Sequence, residues 1–214
     1  RTMAQATATA LGQIATPGAA EALVRSLAEA PASLRPVLAQ ASLQAAQRLL
    51  ARGEARLATE IYRTVRTRYR SGYLNLGAFQ GLIEADPAQA NTRLLVALGG
   101  TDANLRQLAV QLIANLPGQA TPPIMLESLA KLPPAGKVAL LDAVAARRDR
   151  SARTVVLPLT KAKGARVRLA AIRTLGFVGD ESDVVLLARL AAAGEGENGP
   201  VAAQALADLE GDTI

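Results

Sequence analysis

Large apolar residues recur along the chain at a nearly constant interval. The last five of these anchor positions are each 31 residues apart, and the two earlier intervals are 39 and 32 residues. The anchors are Leu11, Leu50, Leu82, Ile113, Val144, Leu175 and Leu206. In most repeats the residue four positions before the anchor is small. This spacing puts the two residues on one face of an amphipathic helix. A repeat of this length predicts an α-solenoid.

Proline and glycine residues divide each repeat into a first and a second helix. Thr16-Pro17, Asp86-Pro87 and Thr121-Pro122 each provide a capping side chain followed by a proline suited to a first helical position. The predicted first helices cover residues 17–29, 54–69, 87–98, 122–132, 150–163 and 182–193. The predicted second helices cover residues 2–14, 33–52, 72–85, 102–116, 135–147, 165–178 and 199–210.

The expected fold is therefore all-α, with about six to seven stacked helix pairs in a single repeat array over residues 1–214. Neither end has the polar face that terminal repeats usually need. We expect the chain to be a fragment of a longer protein whose neighbouring sequence covers the ends, or to self-associate through them. No charge-free apolar run reaches the roughly 18 residues of a membrane span, so we expect a soluble protein without membrane insertion, cytoplasmic or periplasmic.

Three segments resemble a known repeat family. Residues 167–180 read VRLAAIRTLGFVGD, and residues 8–14 and 102–106 are shorter matches, ATALGQI and DANLR. The long segment resembles the second helix and closing turn of a short HEAT repeat of the bilin-lyase-like type. Abundant alanine and arginine with little lysine favours a bacterial origin. The family consists mostly of scaffolds and binding surfaces with a few enzymes, so the resemblance implies binding of a protein or peptide.

Residues at the same distance from the anchor in successive second helices are expected to form columns of side chains, and two such columns are polar or basic. In HEAT-like arrays the second helices line the concave surface, and the position two residues before the anchor points away from the core. These residues, called the groove column below, are Arg48, Gln80, Gln111, Asp142, Arg173 and Gln204. We expect a partner to bind there, although a solvated helix face is also polar. Seven residues before the anchor stand Arg106, Lys137 and Arg168, which we interpret as a structural ladder between neighbouring units rather than an anion-binding strip.

Basic residues are concentrated in one part of the chain. The basic block, residues 131–173, contains eleven Lys and Arg against two Asp, whereas residues 180–212 have a net charge of −7. Such a block could bind nucleic acid electrostatically, or acidic and basic ends of successive copies could complement each other. The block contains no aromatic residue for base stacking. Nucleic-acid binding is therefore the less favoured partner class.

All three tyrosines of the chain lie close together in sequence. Tyr62, Arg66, Tyr69 and Tyr73 recur at helical spacing or across the next turn, which could build an aromatic and basic binding patch. Tyrosines at this spacing also commonly separate two helices while their hydroxyl groups reach water. Both interpretations remain open at this point.

The sequence contains neither histidine nor cysteine. This composition excludes the usual zinc sites and catalysis by Ser-His-Asp or Cys-His groups, and no phosphate-binding glycine motif is present. We expect no metal and no cofactor. Three functions remain: a non-catalytic protein-binding scaffold, an electrostatic nucleic-acid binder and, least favoured, a lyase-like or glycosylase-like enzyme. The enzyme would need a cavity with Tyr62 or Tyr69 beside Glu60 or Glu84.

Overall fold

The computed structural model describes residues 3–193 and 196–211. Every regular element in these two ranges is helical and none is a strand, which confirms the predicted all-α class. The chain forms two compact units, residues 1–93 (unit 1) and 94–214 (unit 2).

Unit 1 alternates first and second helices as predicted. Its helices are α1 (Met3–Ile14), α2 (Pro17–Glu29), α3 (Arg35–Ala51), α4 (Ala55–Arg68), α5 (Gly72–Ala85) and the first part of α6 (Pro87–Gly99). The second helices α1, α3 and α5 pack in succession, and the first helices α2 and α4 pack on them and on each other. This is the arrangement of an α-solenoid within the unit.

Local sequence signals explain where these helices begin. Thr16 is the N-cap of α2, where its Oγ1 accepts a hydrogen bond from Ala19 N at 3.3 Å, and Pro17 occupies the first helical position. The irregular step between the first two repeats corresponds to α3, which has 17 residues and follows a turn at Pro31. Helices α2 and α5 have the predicted bounds.

Unit 2 contains four second helices that also pack in succession. Its helices after α6 are α7 (Ala103–Ala114), α8 (Pro123–Ser128), α9 (Pro134–Arg147), α10 (Arg153–Val156), α11 (Ala165–Val178), α12 (Val184–Ala193) and α13 (Asn198–Gly211). Helix α7 packs on α9, α9 on α11, and α11 on α13.

The first helices of unit 2 are shorter than the sequence predicts. Helix α8 continues as a 3-10 turn over Leu129–Lys131, and α10 lies between the 3-10 segments Arg150–Ala152 and Leu157–Lys161. A further such turn, Glu181–Asp183, precedes α12. Pro158 explains the interruption after α10, because proline has no N–H to bond the carbonyl four residues earlier.

Small residues let neighbouring second helices approach closely. A Cβ atom added to Gly12 of α1 would lie 2.8 Å from the carbonyl oxygen of Ala41 in α3. A Cβ atom on Gly176 of α11 would lie 2.6 Å from the carbonyl oxygen of Ala205 in α13. Both glycines come directly after an anchor residue. The backbones themselves therefore form these two helix contacts.

The first two anchors are less buried than the repeat period predicts. Thr7 of α1 is exposed and its neighbour Ala8 is buried, and in α3 Leu49 is buried while the anchor Leu50 is partly exposed. The intervals next to these two anchors are irregular. Positions that are defined on the regular repeats therefore do not coincide fully with the buried faces of α1 and α3. From Leu82 to Leu175, by contrast, every anchor is buried.

Candidate protein-binding surface

The groove column is accessible on the second helices of unit 1. Arg48 of α3 and Gln80 of α5 are both exposed. The Arg48 guanidinium Nη1 donates to the carbonyl oxygen of Gln13 in α1 at 2.9 Å, and Gln80 Nε2 donates to Glu84 Oε1 at 3.0 Å. Arg48 thus links two second helices while remaining in contact with solvent.

In unit 2 the groove column combines amide and charged groups. Gln111 of α7 and Gln204 of α13 are exposed. Between them, Arg173 Nη2 of α11 lies 2.9 Å from Asp142 Oδ1 of α9, and the two side chains retain 51% and 43% of their accessible surface. An ion pair this exposed contributes little to stability, so both groups remain open to a partner's charges.

Two of the three predicted ladder residues, Arg106 and Arg168, bond mainly within their own repeats. Arg106 Nη1 donates to the carbonyl oxygen of Gly100 at 2.7 Å, and Arg168 Nη1 donates to that of Ala162 at 2.9 Å. Each arginine thus closes the turn six residues before it. Arg168 Nε also donates to Asn198 Oδ1 of α13 at 3.2 Å, whereas Lys137 is half-buried near the start of α9.

The three tyrosines lie in different environments. Tyr62 is buried, and its ring occupies the space that a Cβ atom on Gly81 would need. Tyr69 is half-buried, whereas Tyr73 retains 64% of its accessible surface. Arg66 lies over the buried Phe79 ring at 4.8 Å. The exposed part of the predicted patch is therefore limited to Tyr73 and the edges of Arg66 and Tyr69.

Burial also shifts the pKa of the Tyr62 phenol. Desolvation, with a smaller effect of the nearby Glu84 carboxylate, raises the pKa of Tyr62 to about 12. The phenol stays neutral at physiological pH and packs as a core side chain. Glu84 accepts the hydrogen bond of Gln80 and is exposed. The Tyr62 ring that an enzyme would need as a cavity wall is instead packed on Gly81.

Several arginines of the basic block are bound within the protein. Arg147 Nη1 donates to the carbonyl oxygens of Ile113 and Leu116, both at 2.9 Å, and Nη2 donates to those of Gly118 and Ala120 at 2.6 and 3.0 Å. The guanidinium thereby satisfies the free carbonyls at the end of α7 and in the following loop. Sequence reasoning placed Arg147 in a charged surface and missed this role.

Two acidic groups stabilise neighbouring turns of unit 2. Arg153 Nε and Nη2 donate to the two carboxylate oxygens of the buried Asp183 at 2.6 and 2.8 Å. The buried Asp149 carboxylate accepts hydrogen bonds from Thr121 N at 2.5 Å and from Ser151 N at 3.0 Å. Burial alone would raise the pKa of Asp149, but the hydrogen bonds from Ser151 and Thr121 outweigh it and lower the pKa.

The other basic side chains of the block are distributed between solvent and surface contacts. Arg148 lies over the Phe177 ring at 5.4 Å. Apart from Arg173 of the groove column, the exposed basic residues of the block are Lys131, Arg148, Arg150, Lys161, Lys163 and Arg166. The exposed positive charge of the block outside the groove column is therefore about half of what the sequence count indicates.

A groove between α1 and α3 was not found by sequence reasoning. It has a volume of about 570 Å³, and Ala10, Val37 and Ala41 are among its apolar lining residues. Its polar lining comes from Thr9 and four glutamines, Gln5, Gln13, Gln40 and Gln44. Arg48 of the groove column donates to the carbonyl oxygen of Gln13, so the groove adjoins the groove column within unit 1.

Two further findings concern possible functions. Within residues 3–193 and 196–211, acidic side chains form no cluster of three or more suited to a metal ion. Over the same ranges, no helix has both the length and the apolar character needed to cross a membrane.

The chain matches no protein-family model and no curated protein sequence.

Proposed function

We propose that the chain is a non-catalytic scaffold of HEAT-like repeats whose second helices bind a protein partner through the groove column. The observation that supports this most is the accessibility of that column: five of its six residues are exposed and Asp142 is half-exposed. In each unit these residues project from second helices that pack side by side.

The chemistry of the column favours a protein over a polyanion. Gln111 and Gln204 offer both hydrogen-bond donors and acceptors, and the Asp142–Arg173 pair presents both signs of charge. A phosphate backbone needs mainly positive groups, whereas a protein surface presents mixed ones. This mixed polarity resembles the rim and specificity contacts of protein interfaces.

Affinity capture from source-cell lysate, at low and high salt and with and without nuclease, tests the proposal. We expect a protein partner that survives nuclease treatment and moderate salt. Capture of nucleic acid alone, lost as salt rises, would contradict the proposal, since each neutralised phosphate releases counterions and makes affinity salt-dependent.

Electrostatic nucleic-acid binding through residues 131–173 is the second candidate. The six exposed cations of that block outside the groove column support it. Changing Lys161, Lys163 and Arg166 together to glutamate distinguishes the two candidates, because it removes polyanion binding and leaves the groove column intact. An enzyme on this scaffold is the least supported candidate, given the packing of Tyr62 on Gly81.

A further inference from the structure

We infer that the groove between α1 and α3 binds an extended, uncharged peptide segment of the partner through that segment's main-chain amide groups. The inference rests on the proposed scaffold function and names the class of ligand for one part of its surface. It starts from the four glutamines that line the groove.

Charge is the first property that restricts the occupant. Among the lining residues none is acidic or basic, although the chain as a whole contains 24 basic and 18 acidic residues. A charged side chain entering this groove would lose hydration without gaining a counter-charge. An uncharged segment loses much less hydration free energy on entering the groove, so the lining selects against charged ligands.

The unused hydrogen-bonding capacity of the glutamines is the second property. Gln80 and Gln204 each bond an acidic side chain four residues later. Within the described part of the chain, the side-chain amides of Gln5, Gln13, Gln40 and Gln44 make no hydrogen bond. Each amide offers two donors and an acceptor, which match the N–H and C=O groups of a peptide unit.

These amides favour an extended segment over a helix. A helical ligand bonds its own backbone internally and would bury apolar side chains instead. An extended segment has free N–H and C=O groups that need partners once water is displaced. Gln5 and Gln13 are eight residues apart on α1, about 12 Å along the helix axis. An extended peptide covers that distance with about four residues.

The apolar lining limits the size of the ligand's side chains. Ala10, Val37 and Ala41 leave a space of about 570 Å³, which has room for a short stretch of chain with small or medium side chains. The expected ligand therefore has about four uncharged residues in contact, most of them small.

Panning the full chain against a phage-displayed library of linear heptapeptides tests this inference. We expect enrichment of peptides with an uncharged core of about four residues. Calorimetry then measures the affinity of the enriched peptide for a variant that combines Gln40→Leu and Gln44→Leu. Each lost amide should weaken binding about 3- to 10-fold, so the double variant should bind at least about 10-fold more weakly. Alternate N-methylation of the peptide should weaken binding similarly, because it removes main-chain donors.

The matched control is Gln47→Leu, which changes an exposed glutamine of the same helix outside the groove lining. It should leave the affinity unchanged. A second variant, Ala10→Lys, places a charge in the groove without removing an amide and should also weaken peptide binding. Thermal unfolding of each variant reports whether the fold is intact.

Three results would overturn the inference: no enrichment, enriched peptides that are charged or have helical apolar spacing, or equal binding by the Gln40/Gln44 variant. None of these would contradict the scaffold proposal if a partner still binds through Gln111 and Arg173 of unit 2. Unchanged partner binding by the unit 2 variants, with peptide binding retained in the groove, would contradict the scaffold proposal and leave the groove inference intact.

Discussion

Arg147 of α9 binds the end of α7 through the carbonyl oxygen of Ile113, which accepts a hydrogen bond from Nη1 at 2.9 Å. The same guanidinium reaches three further carbonyls in the loop that follows α7, at Leu116, Gly118 and Ala120. In unit 1, Arg52 similarly donates to the carbonyl oxygen of Ala15 after α1 at 2.9 Å. In both units, an arginine at the end of a later second helix thus caps the end of an earlier one.

Replacing Arg147 with methionine should destabilise unit 2. The change leaves several partly buried carbonyls without donors, and we expect a loss of about 2 to 4 kcal/mol in the free energy of unfolding. Urea unfolding followed by circular dichroism measures it. Arg166→Met, at an exposed position of the same basic block, is the control and should change stability by less than about 0.5 kcal/mol. Equal effects of the two variants would show that the capping bonds are unimportant.

Gly12→Ala should destabilise unit 1, whereas Gly18→Ala should not. A Cβ atom at Gly12 meets the α3 backbone, so α1 must move away at a cost of about 1 to 3 kcal/mol. No atom lies within 4 Å of a Cβ at Gly18 of α2, where alanine should be neutral or stabilise by up to about 1 kcal/mol. Thermal unfolding of the two single variants compares them directly. A stable Gly12→Ala protein would mean that the helices are not in backbone contact.

The repeat period and the prolines predict much of this fold. Pro17 and Pro87 are the first residues of α2 and α6, and the anchors from Leu82 to Leu175 are all buried. Pro158 is also visible in the sequence as a helix breaker, but the period alone predicts an unbroken helix over 150–163. The helix is interrupted there because Pro158 has no N–H donor, and the repeat pattern cannot replace that hydrogen bond.

The local roles of single side chains could not be predicted in the same way. Helical spacing puts Tyr62 and Tyr69 on nearby faces but does not show that Gly81 leaves room for the Tyr62 ring. The partners of Arg147 depend on the path of the loop after α7, which has no periodic signal. The α1–α3 groove lies at the irregular interval between Leu11 and Leu50, where numbering from the anchors fails.

Protonation of Asp149 should weaken the fold at low pH. Its pKa is lowered in the folded chain, so its contribution to stability is present above the unfolded pKa and is lost as the pH falls through the folded pKa. We expect Asp149→Asn to cost about 1 to 3 kcal/mol near neutral pH. The difference from wild type should shrink as the pH falls through the folded pKa of Asp149, because both chains then lack the charge. Urea unfolding over this range measures it, and a pH-independent difference would contradict the assignment.

The Asp142–Arg173 pair should contribute little to stability. Both side chains are about half exposed, so a double-mutant cycle with Asp142→Ala and Arg173→Ala should give a coupling below about 1 kcal/mol. That coupling should decrease further at high salt. A coupling of several kcal/mol would instead indicate that the pair exists to join α9 and α11, and would remove it from the candidate binding surface.

The most direct test of the scaffold proposal is the affinity of the captured partner for a variant combining Gln111→Glu and Arg173→Glu. Both residues are exposed, so the fold should be unaffected. We predict at least about a 100-fold loss of affinity, because two contacts of the groove column change charge. Lys161→Glu combined with Arg166→Glu is the control and should bind normally. Unchanged affinity of the Gln111/Arg173 variant, with loss in the control, would contradict the proposal and identify the basic block as the binding surface.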